Sequence, residues 1–168
     1  MENCCNPIQK QGNHRASCPR CGVVGRTVGD ETIRAILRPG LAASLLAVER
    51  RFCRTPTCDV IYYGPDGQVA DKDASRVRIG VKETENPVPL CYCFNFNMED
   101  VRREIAETGN CSIPGKITAE VKAGHCACEV KNPSGACCLG DVNKAVSDAK
   151  TAMHPVFPDD VRPPQARR

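Results

Sequence analysis

The spacing of apolar residues in the second half of the chain predicts three helices. Asn97 is placed to cap a helix over 98–108, where acidic residues fill the first turn and Gly109 follows the last. Apolar residues recur with the period of an amphipathic helix over 115–123 and again over 141–153. We therefore expect a small helical unit in this half.

Helical spacing also occurs early in the first half. The acidic pair Asp30 and Glu31 precedes a short predicted helix over 32–37, which Pro39 ends. A second helical segment is predicted over 41–48 from its apolar positions. Two short helices are therefore expected to follow one another here.

The rest of the first half has the pattern of strands and turns. β-Branched and aromatic residues over 59–63 predict a strand, and the sequence Gly-Pro-Asp-Gly over 64–67 predicts a turn after it. Val77, Ile79 and Val81 alternate with other residues, which predicts another strand. Helices followed by short strands indicate a small α+β domain of the zinc-ribbon kind.

Composition divides the chain into five parts. The expected order is a flexible arm over 1–16, a first domain over 17–83, a proline-containing linker over 84–90, a helical domain over 91–153 and a disordered tail over 154–168. Two domains of this size are close to the limit at which a hydrophobic core suffices, and bound metals commonly stabilise such domains.

The cysteines of the first half have the spacing of a zinc site. A C-x-x-C pair is followed about thirty residues later by a C-x4-C pair, which together supply Cys18, Cys21, Cys53 and Cys58. Four thiolates suit zinc, a d10 ion that accepts a tetrahedral sulfur shell without redox chemistry. The alternative, a redox dithiol at the first pair, needs a βαβ context that this segment does not have.

The cysteines of the second half have a different spacing. Cys91 and Cys93 form a C-x-C pair, which suits a two-iron cluster whose irons each take two thiolates. We expect this pair to bind one iron. Spacing leaves open which two later cysteines complete the shell among four candidates, Cys126, Cys128, Cys137 and Cys138.

Other uses of many cysteines fit less well. A secreted disulfide scaffold is disfavoured because the cysteine count of 13 is odd and the N-terminus has no apolar signal segment. The longest apolar run, 41–48, is far short of the ~20 residues that span a bilayer. The sequence therefore predicts a soluble cytoplasmic protein with no membrane span.

Charge and motifs disfavour two further classes, nucleic-acid-binding proteins and enzymes. The formal charge of +3 becomes slightly negative once coordinating thiolates, a zinc ion and an oxidised two-iron core are included, so nucleic acid is not an expected partner. Lysines and arginines are dispersed along the chain. No Ser/His/Asp arrangement or glycine-rich phosphate loop has supporting context, so no enzymatic activity is expected.

Taken together, these motifs resemble the CopZ-type metallochaperones over about residues 17–150. Cys18-Pro-Arg-Cys21, the segment over 52–63 and the segment over 77–83 are similar to the zinc-binding domain of that family. Cys91-Tyr-Cys93 and the later stretch Cys-Glu-Val-Lys-Asn-Pro-Ser-Gly-Ala-Cys-Cys over 128–138 are similar to its iron–sulfur part. That part is related to the helical domain of bacterioferritin-associated ferredoxin.

The resemblance implies a ligand set for each metal. It places zinc on the four cysteines of the first half. It places a [2Fe–2S] cluster on Cys91, Cys93, Cys128 and Cys138, and it leaves Cys126 and Cys137 over. The two sites are expected to be separate, so that loss of zinc leaves the cluster largely intact.

The implied function is redox and metal handling in copper or mercury trafficking or resistance, with a protein redox or metal-transfer partner. The copper-delivery loop M-x-C-x-x-C of the family's C-terminal domain does not occur in these 168 residues. Adjacent Cys4 and Cys5 are a candidate substitute for capturing a soft metal ion. The alternatives are a small ferredoxin-like electron carrier or redox sensor without metal cargo, and a zinc-ribbon regulator that binds nucleic acid.

Overall fold

The computed structural model describes residues 17–153. The predicted arm over 1–16, with Cys4 and Cys5, and the predicted tail over 154–168 lie outside the described residues. Helices and strands are both present, so the predicted α+β class is confirmed. The division into two domains remains a prediction, and the two halves are described in turn.

A four-stranded antiparallel sheet forms the centre of the first half, with its strands in sequence order. The strands are β1 (Arg26–Val28), β2 (Arg50–Phe52), β3 (Val60–Tyr63) and β4 (Val69–Asp71). All of β3 is buried, because Ile61 and Tyr62 pack in the hydrophobic core and Val60 and Tyr63 pack with the first cysteine set. This strand therefore connects the core of the first half with its candidate metal site.

Two helices lie between β1 and β2. Helix α1 (Asp30–Ile36) has Asp30 and Glu31 in its first turn, and α2 (Pro39–Leu45) begins with proline at its first position. Both were predicted, although α2 ends before the predicted position 48. Their apolar side chains form one core with Phe52 and Tyr62 of the sheet.

The strand predicted from Val77, Ile79 and Val81 is wrong. The chain forms a 3-10 turn over Gly80–Lys82 instead. Two features of the tertiary structure accompany the turn. A Cβ atom on Gly80 would lie 1.9 Å from the carbonyl oxygen of Pro89, so the backbones approach closely there. The side chain of Lys82 is turned inward and is only 7% exposed.

The second half begins with a two-stranded antiparallel sheet of β5 (Pro89–Cys91) and β6 (Phe96–Asn97). Four helices follow, α3 (Met98–Thr108), α4 (Ile113–Lys122), α5 (Cys128–Lys131) and α6 (Leu139–Met153). The three predicted helices correspond to α3, α4 and α6. Helix α5 was not predicted, because four residues are too few for a periodic pattern.

Helix α3 has the signals that the sequence indicated at both ends. Asn97 and Asp100 form a capping box, in which each side chain accepts a hydrogen bond from the other residue's main-chain N–H at 3.0 Å. Gly109 ends the helix in the left-handed region, with φ of 74°. Local signals in the sequence therefore mark both ends of this helix.

The helical half has its own apolar core. Val101 and Ile105 of α3, Ile117 of α4 and Val142 of α6 are buried against one another. Cys91 and Cys138 belong to this core, so two of the candidate cluster ligands lie in an apolar environment. No helix within residues 17–153 combines the length and the apolar character needed to cross a membrane.

Candidate metal centres

The first pair of cysteines is held by a tight turn. The main-chain N–H of Cys18 donates to the carbonyl oxygen of Val23 at 2.9 Å, and that of Gly22 donates to the carbonyl oxygen of Cys18 at 2.8 Å. Gly22 has a φ of 75°, a conformation that glycine adopts without strain. The turn points the thiols of Cys18 and Cys21 toward the second pair.

The second pair flanks the loop between β2 and β3. Cys53 follows β2 directly, and its N–H donates to the carbonyl oxygen of Ile61 at 2.9 Å. The N–H of Cys58 donates to the carbonyl oxygen of Thr55 at 3.2 Å, which closes a turn within the C-x4-C loop. Sheet pairing therefore fixes the position of Cys53, and the turn brings the Cys58 thiol back beside it.

These two loops bring four thiols together. The Sγ atoms of Cys18, Cys21, Cys53 and Cys58 all lie within 4.8 Å of one another. Sγ of Cys18 lies 3.9 Å from that of Cys58, and Sγ of Cys21 lies 3.6 Å from that of Cys53. A tetrahedral zinc shell with bonds of about 2.3 Å requires sulfur–sulfur distances of roughly 3.8 Å. The four residues therefore fit a zinc ion.

The local environment shifts the pKa values of these thiols in opposite directions. A hydrogen bond with the Thr55 hydroxyl at 3.2 Å lowers the pKa of Cys21 to about 6. Burial raises the pKa of Cys58 to about 12 and also raises that of Cys18. A bound cation favours the thiolate form of all four residues, because it compensates the charge that burial disfavours.

Lys82 is a buried cation beside this site that the sequence did not reveal. Its ammonium group donates to the carbonyl oxygens of Thr55 and Cys58, each at 2.8 Å. Both carbonyls belong to the C-x4-C loop. The residue stands in an apparent strand pattern, where a lysine indicates a solvent-facing position, so no local signal predicted its burial.

The thiols of the second set form two close pairs. Sγ of Cys93 lies 3.6 Å from Sγ of Cys128, and the Cys91 and Cys138 thiols share a hydrogen bond. Each pair thus joins one member of the C-x-C motif to one later cysteine. These contacts pair the thiols differently from the expectation that Cys91 and Cys93 bind one iron, which remains a prediction.

Local hydrogen bonds and burial act on these thiols. The hydrogen bond from Cys138 lowers the pKa of Cys91 to about 6, and main-chain N–H groups of Phe94 and Cys93 contribute to that shift. The N–H of Ala127 donates to Sγ of Cys93 at 3.3 Å. Burial raises the pKa of Cys128 to about 12. Donors aimed at sulfur are typical of thiolate-ligated iron sites.

Cys126 and Cys137, which the resemblance does not assign to the cluster, are less buried than Cys138. Cys137 is exposed and Cys126 is half-buried, whereas Cys138 is only 2% exposed. The adjacent side chains of Cys137 and Cys138 therefore face different environments. Four thiolates are the donor set that a two-iron cluster requires, and these two contacting pairs supply that number.

The Asn-Pro-Ser-Gly segment between Cys128 and Cys138 is a hydrogen-bonded loop. The Asn132 side-chain oxygen accepts from the N–H and the hydroxyl of Ser134, at 3.0 and 3.1 Å. The Asn132 side-chain amide donates to the carbonyl oxygen of Ala136 at 2.6 Å. Asn132 and Ser134 are both buried. Hydrogen bonds made by its own side chains therefore hold the loop in one conformation.

Comparison with known proteins supports the zinc centre. Residues 15–76 match the CopZ zinc binding domain family. The copper chaperone CopZ of Archaeoglobus fulgidus is 36% identical over 121 residues, which cover 72% of this chain and 57% of the relative. The crystal structure of the N-terminal domain of Archaeoglobus fulgidus CopZ superposes with a TM-score of 0.62 at 30% identity, covering 76% of this chain and 95% of that domain.

The fold and the four-thiol group define a zinc-binding metalloprotein. The chain belongs to the CopZ family, through the N-terminal domain of that relative. It spans 57% of the length of the curated relative that it matches.

Proposed function

We propose that the chain is a non-enzymatic metal-handling protein of copper trafficking that carries a structural zinc ion and a [2Fe–2S] cluster. The observation that carries the proposal is the presence of eight thiols in two sets. In the first set all four Sγ atoms lie within 4.8 Å of one another, and in the second set Cys93 contacts Cys128 and Cys91 contacts Cys138. Similarity to a protein named as a copper chaperone supports a role in copper trafficking.

Zinc is assigned to Cys18, Cys21, Cys53 and Cys58 with a structural role. Three of these four thiols are buried, and the set packs against β3. A closed shell of four protein ligands leaves no position for a substrate. Metal binding in such a small domain contributes directly to its folding free energy.

The cluster is assigned to Cys91, Cys93, Cys128 and Cys138. The contacts favour Cys91 with Cys138 on one iron and Cys93 with Cys128 on the other. When bound, the cluster supplies a centre that accepts or donates one electron. The chain itself excludes water from Cys91 and Cys138 within the helical core, and it aims main-chain donors at Cys91 and Cys93.

Copper is the proposed cargo, passed to a protein partner. Cys4 and Cys5 supply two adjacent soft donors for Cu(I), and Hg(II) is a second ion with the same preference for thiolates. All cysteines within residues 17–153 are free thiols, which suits a reducing compartment such as the cytoplasm.

Elemental analysis tests the two centres. Protein purified without air is expected to contain about one zinc, two iron and two acid-labile sulfide per chain. Cys21→Ser and Cys58→Ser should each lose zinc and the cooperative unfolding of the first half. Zinc without iron in anaerobic protein would overturn the cluster, and full zinc retention in both variants would overturn the zinc site.

Anaerobic titration with Cu(I) tests the cargo. The intact chain is expected to bind Cu(I) without releasing zinc or iron, and a protein with Cys4→Ser and Cys5→Ser together should lose that binding. Hg(II) serves as a competitor for the same thiols. Absence of Cu(I) binding in protein with a complete cluster would instead identify an electron carrier without metal cargo.

A further inference from the structure

The loop between the last two candidate cluster ligands is held by a tyrosine from the first half of the chain. The hydroxyl of Tyr62 donates to the carbonyl oxygen of Pro133 at 2.6 Å. Tyr62 lies in β3, between the core of the first half and the loop, and its side chain is fully buried. The ring packs against Phe52, with the ring centres 5.9 Å apart. The sheet therefore fixes the direction of this donor.

Helix α1 makes a second contact with the same segment. The hydroxyl of Thr32 donates to the carbonyl oxygen of Glu129 at 2.6 Å, across the packed surface of α1 and α5. Gly135 lies against the same side chain, since a Cβ atom there would be 2.8 Å from Oγ1 of Thr32. Gly135 also has a φ of 62°, so both space and conformation require glycine.

The loop is stiff enough to transmit these contacts to the thiols. The N–H of Asn132 donates to the carbonyl oxygen of Cys128 at 2.9 Å, and that of Gly135 donates to the carbonyl oxygen of Asn132 at 2.8 Å. Beyond the loop, the N–H of Val142 donates to the carbonyl oxygen of Cys138 at 2.9 Å. A shift of Pro133 or Glu129 therefore moves the main chain that carries both thiols.

We propose that Tyr62 and Thr32 are positioning residues for the cluster, through which the zinc-binding half holds Cys128 and Cys138 in the ligating arrangement. The inference rests on the proposed [2Fe–2S] cluster. It revises the expectation that the two sites are independent, because retention of iron then requires a folded zinc-binding half. Both hydroxyls donate to carbonyl oxygens between Cys128 and Cys138 and not to a thiol, so both residues act through the loop.

The principal test is Tyr62→Phe, which removes one hydroxyl and leaves the ring packing in place. The Pro133 carbonyl is then buried without a donor, which opposes the native loop conformation. Tyr63→Phe is the matched control. Its hydroxyl is also buried and accepts from the N–H of Gly25 at 2.6 Å, but it lies beside the zinc thiols and not against the loop.

In full-length protein loaded with both metals, Tyr62→Phe should retain zinc and lose its cluster absorbance to an iron chelator about tenfold faster than the unaltered protein. Thr32→Val should act in the same direction. Tyr63→Phe, compared in protein that retains its zinc, should leave the rate of cluster loss within about twofold of the unaltered protein. Equal rates in Tyr62→Phe and Tyr63→Phe would overturn the inference.

Hydrogen exchange in zinc-loaded, iron-free protein separates this inference from the cluster assignment. The amides of Asn132, Ser134 and Gly135 are hydrogen-bonded within the loop and should exchange about tenfold faster in Tyr62→Phe than in Tyr63→Phe. A protein that never holds iron but shows this difference would refute the cluster and retain the coupling of the halves. Unchanged exchange would refute the coupling even in protein that holds iron.

Discussion

Nζ of Lys82 lies 2.8 Å from the carbonyl oxygen of Cys58, which places a buried positive charge against a loop that carries two of the candidate zinc ligands. The same ammonium group donates to the carbonyl oxygen of Thr55 at the start of that loop. Zinc with four thiolates has a net charge of −2, and a buried cation nearby compensates part of it. Lys82 therefore serves both as a hydrogen-bond donor and as a counter-charge.

Lys82→Met is expected to weaken zinc binding and to lower the free energy of unfolding by about 1–3 kcal/mol, because two buried carbonyl groups lose their donor. Zinc competition with a chromophoric chelator and urea unfolding measure the two effects. Lys144→Met is the control, since the Lys144 side chain is 74% exposed and pairs with the exposed side chain of Asp148, at 2.6 Å. Equal effects of the two substitutions would contradict the special role of Lys82.

Replacement of the two adjacent cysteines by serine tests the cluster assignment. Cys138→Ser should abolish the visible absorption of the cluster, because the Cys138 thiol is buried and paired with Cys91. Cys137→Ser should leave the spectrum unchanged, since Cys137 is exposed. Electron paramagnetic resonance after reduction checks both proteins. If Cys137→Ser lost the cluster and Cys138→Ser kept it, Cys137 and not Cys138 would be the ligand.

Local sequence signals predicted the helices better than the strands. Asn97 and Gly109 define α3 without reference to the rest of the chain. By contrast, β2 carries adjacent arginines, which give no strand pattern, and one of them is buried by a partner sixteen residues later. The predicted strand over 77–81 failed for the same reason, because Lys82 turns inward to carbonyl groups on another loop.

In the candidate sites, too, local sequence signals predicted some features, and contacts between distant residues decided others. Spacing alone indicated the four-thiol group, because a C-x-x-C turn and a short loop each bring their own cysteines together. Spacing did not predict that Cys91 pairs with Cys138 and Cys93 with Cys128, because the packing of α5 and α6 decides those distances. The contacts of Tyr62 and Thr32 with the second half join residues about 70 and 100 positions apart, beyond the reach of any local pattern.

Arg50 provides a test of buried charge in the first half. Its side chain is 1% exposed, and its guanidinium donates to both carboxylate oxygens of Asp66, at 2.6 and 2.9 Å. The hydrogen bonds from Arg50 lower the pKa of Asp66. Asp66→Ala should lower the free energy of unfolding by about 2 kcal/mol, because the buried guanidinium keeps only the carbonyl oxygen of Leu45 as an acceptor.

Asp59→Ala is the matched control for that substitution. The Asp59 side chain is 77% exposed and lies 3.7 Å from Arg20, so its removal should change the free energy of unfolding by less than about 0.5 kcal/mol. Urea unfolding at neutral pH compares the two proteins. If Asp66→Ala changed the free energy of unfolding as little as Asp59→Ala does, solvent would be replacing the hydrogen bonds that Arg50 loses.

Glu104 should make the helical half sensitive to acid. Its carboxylate accepts hydrogen bonds from the hydroxyl and the N–H of Ser112, which precedes α4. The Ser112 hydroxyl is the principal cause that lowers the pKa of Glu104 from 4.5 to about 2. Since the pKa is lower in the folded state, the stabilisation is complete above about pH 4.5 and is lost as the pH falls toward 2.

Glu104→Gln retains the shape of the side chain and removes its charge. The difference in urea midpoint between the unaltered protein and this variant should be constant from pH 7 to about pH 5 and should shrink as the pH falls toward 2. Comparing the two proteins at each pH cancels the effect of metal release, because Glu104 contacts none of the candidate ligands. Glu107→Gln, at an exposed position of the same helix, should show no such trend. A pH-independent difference for Glu104→Gln would mean that the Ser112 contacts stabilise α4 without the carboxylate charge.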